Sequence, residues 1–200
     1  MTRAVAHLKQ ADPVLAAVIA RVGPLKPQYR PATFENLVRS IAFQQLNGKA
    51  ARTIFDRVVC AVGGSVTPES VLAVTEEQLR ACGLSRQKLS YIRDLAARTQ
   101  AREIEFARLP EMSDADVIEH LTRVRGIGLW SAQMFLMFAL RRPDVMPATD
   151  FGVQMAIKTH WRKRKLPKPD FIHKLAQPWA PYRSLAAYYL WRSIDGAKKD

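Results

Sequence analysis

From Leu129 to Leu140 the chain reads LWSAQMFLMFAL, apolar on almost every face a helix could present. At twelve residues the run is too short to span a bilayer, which takes about 20, and Ser131 and Gln133 interrupt it. A helix that is apolar all round is stable only when other elements enclose it. The run therefore predicts a central buried helix with further helices packed about it. Gly126-Ile127-Gly128 stands directly before it, and before that Val117, Ile118, Leu121 and Val124 recur at helical spacing. Two helices joined by a short glycine turn are expected over about residues 114–138.

The remaining helix signals are punctuation rather than bulk hydrophobicity. Thr33 is placed to cap a helix carrying Phe34, Leu37, Val38 and Ile41, and Thr67-Pro68 reads as N-cap plus first-turn proline. Thr75 opens the next helix, which Gly83 closes behind Cys82. Ser85 caps a helix whose Leu89, Ile92, Leu95 and Ala96 share one face, and Ser113 or Asp114 starts another. Further helices are expected over about 150–161, 169–176 and 181–194. Period-2 alternation bounded by hairpin turns is absent, so the predicted class is all-α. With 48% apolar residues, 200 residues are enough to bury a core. Cys60 and Cys82, both read as buried thiols, are too few for a disulfide framework or a Cys-ligated iron–sulfur cluster. Phe43, Phe151, Trp179, Tyr182 and Met155 read as core, with the lining of a cleft as the alternative.

The formal charge is +13, and residues 141–200 hold 13 basic against 5 acidic side chains. Such an excess asks for an anionic partner. Its densest run, Arg162-Lys163-Arg164-Lys165 with Lys168 behind it, reads either as a solvated loop or as the rim of a polyanion site. The opening residues lack the apolar core of a secretory leader. A soluble, cytosolic protein without membrane attachment is expected, nucleoid-associated if bacterial.

The glycine turn carries chemistry of its own. Glycine permits the positive φ of a tight turn and clears its outer face. Backbone N–H groups there, with the N-terminus of the next helix, suit a phosphate. Ile127, between the glycines, is placed to point inward and tie the helices together.

Several segments in this order resemble the helix-hairpin-helix DNA glycosylases. They are Val124-Arg125-Gly126-Ile127-Gly128-Leu129-Trp130-Ser131-Ala132, then Pro143 to Asp150, with Arg39 to Leu46 upstream and Pro178-Trp179 and Arg183-Ser184 to Trp191 downstream. Within that superfamily the chain is most similar to the DNA-3-methyladenine glycosylase II, or AlkA-like, branch, over about residues 30–195. The resemblance implies two helical lobes around a cleft, without the N-terminal β domain of longer relatives. Residues 33–140 would form the lobe carrying the helix-hairpin-helix, and 1–32 with 141–200 the lobe carrying the catalytic carboxylate.

It also assigns roles. Asp150 would be that carboxylate, stabilising the positive charge that builds on deoxyribose as an N-glycosidic bond breaks, or orienting the attacking water. Its place at a helix start favours ionisation. Trp130 stands where lyase-active relatives carry a Schiff-base lysine, so a monofunctional enzyme leaving an abasic site is implied. Trp130 and Trp191 would line the base pocket, where aromatic faces hold a cationic alkylated purine by stacking and cation–π attraction. Met134, one turn after Trp130, replaces a tyrosine of some relatives. Gln45, with Leu46 second, resembles the wedge that fills the gap when a base is flipped out. Asn47 departs from the serine common there. Arg125 to Gly128 would grip phosphate, and the hairpin carbonyls of such proteins often hold a structural monovalent cation. No catalytic metal, cofactor or iron–sulfur cluster is implied. The expected partner is double-stranded DNA containing alkylated purines of the 3-methyladenine and 7-methylguanine class, bound by a monomer. A helix-hairpin-helix module that only grips DNA, or a glycosylase for another damaged base, are the alternatives. Asp150, Trp130 and Trp191 speak against the first, since a pure binder does not need them.

Overall fold

The computed structural model describes residues 2–195. These form α-helices and short 3₁₀ turns, with no strand among the described residues. None of the helices is long and apolar enough to cross a membrane. Lys198, Lys199 and Asp200, which belong to the C-terminal charge count, lie outside the described residues. The chain divides into two compact units, Arg30–Phe135 and Met1–Tyr29 with Leu136–Asp200.

Two helices that the sequence reading did not place stand first, α1 (Thr2–Ala11) and α2 (Pro13–Val22). The signal was in the punctuation. Asp12 caps α2, its Oδ1 accepting from the N–H groups of Val14 and Leu15 at 2.8 and 3.0 Å, and Pro13 occupies the first turn. Such a cap contributes about 1 kcal/mol. Leu15, Val18 and Ile19 then face inward at i, i+3, i+4.

In the unit Arg30–Phe135, α3 (Phe34–Phe43), α4 (Gly48–Ala61), α5 (Pro68–Ala73), α6 (Glu76–Ala81), α7 (Arg86–Gln100) and α8 (Asp114–Thr122) are each started by a side-chain cap. Thr33, Thr67, Thr75, Ser85 and Ser113 serve where the sequence places them. The cap of α4 is Asn47, whose Oδ1 takes the N–H of Ala50 at 2.9 Å. An Asn does there what a Ser would do, so the departure from the family's residue leaves the helix start intact. Helix α7 packs against α3 and α5, burying Leu89, Ile92, Leu95 and Ala96.

Three expectations are corrected here. The helix α9 (Leu129–Phe138) ends two residues before the apolar run does. Its first turn is open to solvent, Leu129 and Trp130 being 45% and 46% exposed, and the first buried residue of the helix is Ala132. Cys60 is exposed while Cys82 is buried. The reason is angular: α4 turns Ala51, Phe55 and Val58 inward, and Cys60 lies some 200° from Val58 on the same helix. Ile118 is only half-buried, because the inward stripe of α8 is Val117 and Leu121.

The unit holding both termini continues with α10 (Phe151–His160), α11 (Pro169–Leu175) and α12 (Arg183–Asp195), and α12 packs on α10 and α2. Trp179 is fully buried, its ring 5.7 Å from that of Trp161. Phe151 is no core residue: it is 65% exposed, off the inward stripe of Val153, Ala156 and Ile157. Tyr182, Met155 and, in the other unit, Phe43 are half-buried.

Candidate active site and hairpin

Asp150 is the N-cap of α10. Its Oδ1 accepts the N–H of Val153 at 2.8 Å and the indole Nε1–H of Trp191 at 2.7 Å. The first bond is the ordinary cap; the second comes from α12, 41 residues along the chain. Two donors on one oxygen fix the plane of the carboxylate as well as its position. Trp191 is itself wedged. Its ring stacks on Phe138 at 5.9 Å with an 18° tilt and meets Tyr188 at 5.8 Å. The Tyr188 hydroxyl donates to the carbonyl of Met137 at 3.0 Å, and burial raises its pKa far enough to keep the phenol neutral.

Gly152 makes this contact possible. A Cβ at that position would stand 2.9 Å from Cδ1 of Trp191 and 3.1 Å from Oδ1 of Asp150. Sequence reasoning missed the residue, although a glycine inside a helix's first turn costs up to about 1 kcal/mol against alanine and so hints at a close approach.

The segment leading to Asp150 is clamped by the start of α12. The Arg183 guanidinium donates Nε to Oδ1 and Nη2 to Oδ2 of Asp144, at 2.7 and 2.8 Å. That fork holds the Asp144 carboxyl below the usual carboxylate range. Next to it, the Ser184 hydroxyl donates to the carbonyl of Arg142 at 2.7 Å and accepts from the N–H of Val145 at 2.9 Å. Arg183 is thus part of the frame that sets where Asp150 begins its helix.

The hairpin lies in the unit Arg30–Phe135. Val124 and Ile127 are buried and anchor the turn, which a bond from the Ile127 N–H to the Val124 carbonyl closes at 3.1 Å. Its two glycines are unequal. Gly126 has φ +76°, and the ring of Tyr91 lies where a Cβ would stand, whereas Gly128 has no positive φ and open space around it. Among the described residues no acceptor partners the N–H of Gly126 or Gly128. The Arg125 N–H, by contrast, is taken by Asp94 Oδ2 at 2.9 Å, and Arg98 Nε donates to the same oxygen at 3.1 Å. The Arg125 amide of the turn is therefore already occupied by a carboxylate, which leaves the amides of Gly126 and Gly128 as the backbone donors there. The side chain of Arg125 is exposed.

The turn between α3 and α4 carries Gln45 and Leu46, the residues expected to form the wedge. Gln45 is exposed at φ +55°, a left-handed conformation rare outside glycine, and Leu46 is exposed beside it. Helix α7 ties this turn to the hairpin. At one-turn intervals, Lys88 Nζ donates to the Ala42 carbonyl at 2.8 Å, Tyr91 covers Gly126, and Asp94 holds the Arg125 N–H. Gln44 completes the link by donating Nε2 to the Gly126 carbonyl at 3.1 Å. Gln44 stands in the segment from Arg39 to Leu46 that carries the resemblance, though no role was assigned to it; Lys88, Tyr91 and Asp94 were not singled out from sequence, since each reads alone as an ordinary helix-surface residue.

Trp130 and Met134, four residues apart, share one face of α9. Met134 is half-buried. Among the described residues no group of three or more His, Cys, Asp or Glu side chains forms a metal site.

An all-helical chain with this hairpin and a capped carboxylate behind it has a clear affiliation. Residues 38–181 match the family described as HhH-GPD superfamily base excision DNA repair protein, and the chain belongs to that superfamily. It is 34% identical to DNA-3-methyladenine glycosylase 1 of Schizosaccharomyces pombe, across 96% of this chain and 87% of the relative. A solved structure of the S. pombe 3-methyladenine DNA glycosylase in complex with abasic DNA superposes with a TM-score of 0.85 at 33% identity, covering 96% of both chains. The crystal structure of a DNA-3-methyladenine glycosidase from Bacillus halodurans gives 0.89 at 34% identity, covering 98% of this chain and 91% of that one.

Proposed function

We propose that the protein is a monofunctional DNA glycosylase of base excision repair. It removes alkylated purines of the 3-methyladenine and 7-methylguanine class from duplex DNA by hydrolysing the N-glycosidic bond. The observation that carries this is the Asp150 carboxylate, held by Val153 and Trp191 against an aromatic cluster in a chain of the base excision superfamily.

In this reading the flipped nucleotide brings its deoxyribose to Asp150. As the glycosidic bond lengthens, the sugar gains oxocarbenium character, and the fixed negative charge stabilises it without reorganising. The same carboxylate orients the water that adds to the anomeric carbon. The leaving base carries its own positive charge and departs neutral, so little help from a general acid is needed. Trp191 serves twice, presenting an aromatic face and aiming the carboxylate. Trp130 and Met134 supply further base contacts, and an indole in place of an amine forms no Schiff base, so the product is an intact abasic site. Gln45, with Leu46 beside it, fills the vacated stack. The hairpin from Arg125 to Gly128 takes a backbone phosphate. The Gly126 carbonyl, which accepts from Gln44, keeps a second lone pair for a structural monovalent cation. The enzyme acts as a monomer in the compartment that holds the DNA, and the hydrolysis asks for no redox cofactor.

The deciding experiment is mass spectrometry of the bases released from DNA treated with a methylating agent. Free 3-methyladenine, with or without 7-methylguanine, is the expected product. Release of neither, by enzyme shown to bind the DNA, refutes the substrate class.

Trp191→Phe isolates the aiming role. Phenylalanine keeps a ring for stacking and removes the donor to Asp150. Single-turnover base release is expected to drop about tenfold, as befits the loss of a charge-assisted hydrogen bond worth roughly 1.5 kcal/mol. An unchanged rate would assign that bond to packing alone.

A further inference from the structure

The hairpin leaves one strongly charged feature of its own unit unused. Beside it is an open recess of about 400 Å³ lined by Arg80 and Glu76 of α6, Arg86, Arg93 and Asp94 of α7, and Arg125 of the hairpin. Its charges do not balance. Glu76 lies 3.7 Å from Arg93, whose guanidinium also donates to the Val74 carbonyl at 3.0 Å. Asp94 is committed to Arg98 and to Arg125. Among the described residues neither Arg80 nor Arg86 has a carboxylate or hydrogen-bond partner, and both are exposed. Two uncompensated guanidiniums therefore face one concave surface already bordered by two further arginines. Like charges gathered this way repel one another unless an anion joins them. Planar, multiply donating guanidiniums match the oxygens of a phosphate group better than those of a lone halide.

We propose that this recess is a phosphate-binding site, separate from the glycine turn, with Arg80 and Arg86 as its principal ligands. The proposal rests in part on the reading of the protein as a DNA glycosylase, because a backbone phosphate of the duplex gripped by the hairpin is then the source at hand. Free phosphate is the other source with the same chemistry. The acidic pair sets the selectivity: Glu76 and Asp94 hold Arg93 and Arg125 in place and leave the recess with a net positive charge of two, enough for one phosphate and too little for a polyanion to collapse on it indiscriminately.

The test compares the wild type with Arg80→Gln/Arg86→Gln and with a control, Arg3→Gln/Lys9→Gln, which removes two exposed charges from α1. Affinity for a duplex carrying an abasic-site analogue is followed by fluorescence anisotropy between 50 and 200 mM salt. Each lost phosphate contact lowers the slope of log K against log salt by about 0.9. The recess variant should lose close to one unit of slope, the share of the single phosphate held there, and about tenfold in affinity at the low-salt end, and the control should keep the wild-type slope. In a second arm, inorganic phosphate is titrated into DNA-free protein while the arginine Nε–Hε signals are followed by NMR. Saturable shifts at Arg80 and Arg86, with the slope unchanged, would keep the site and make free phosphate its ligand. An unchanged slope without such shifts overturns the proposal. A wild type that binds no duplex overturns the DNA reading instead, and the phosphate arm still decides the recess.

Discussion

Asp150→Asn is expected to slow single-turnover release of 3-methyladenine by at least about 100-fold while leaving the protein folded and bound to DNA. The substitution is informative because so little else changes. Asparagine caps helices as well as aspartate does, so the start of α10 loses nothing. Its Oδ1 can still accept from the Val153 N–H and from Trp191, which preserves the two bonds that position the group. Only the charge is removed, and loss of one preorganised electrostatic contact to a developing charge typically costs 10²–10³ in rate. The thermal midpoint and the affinity for an abasic-analogue duplex should match those of the wild type, which separates chemistry from folding and binding. A rate within threefold of the wild type would remove Asp150 from the reaction.

The second large effect is on stability. Gly126→Ala should destabilise the protein by about 2–5 kcal/mol, read from the urea midpoint at unchanged m-value. Two costs combine. At φ +76° an alanine meets the left-handed penalty of roughly 1–2 kcal/mol. Its Cβ also falls within the ring of Tyr91, so that the ring or the turn must shift, an overpacking cost of about 1–3 kcal/mol. Gly128→Ala is the internal control: with no positive φ and open space around it, it should cost below about 1 kcal/mol. In the background Tyr91→Ala, the penalty at Gly126 should shrink to its backbone part. Equal costs at the two glycines, or a full penalty without Tyr91, would contradict this account of the turn.

Much of the fold was legible because it is written in capping residues. Ser85 with Leu89, Ile92, Leu95 and Ala96 specifies α7 from start to inward face, and Thr67-Pro68 and Thr75 do the same for two short helices. Helix α4 is masked in the sequence because its apolar residues are diluted by Lys49, Arg52, Asp56 and Arg57, while the start of α2 is marked chiefly by the cap at Asp12-Pro13. Apolarity also misjudged depth. Leu129 and Trp130 are as hydrophobic as the residues after them, and only the packed neighbours decide that the first turn of α9 stays in solvent. In the site, the resemblance of the segment behind the hairpin marked Asp150, but its bond from Trp191 joins residues 41 apart. Gly152 showed only as a glycine where a helix would rather have alanine. Asp94 and Lys88 lie on the half of α7 that sequence assigns to water, yet each is spent on the backbone of another segment.

The grip of α7 on the wedge turn and the hairpin bears on the entropy of recognition. A loop that must be ordered on binding charges that ordering against affinity, about 0.5–1.5 kcal/mol for each immobilised flexible side chain. Here the turn that bears Gln45 and the turn that bears Gly126 are already fixed to one helix through Lys88, Tyr91, Asp94 and Gln44. Their spacing is set at folding, before any duplex arrives, so under the proposed roles of these residues the two turns would meet DNA as a preset gauge. A duplex whose local geometry does not fit that gauge must itself deform, and one already weakened by a damaged base deforms most readily.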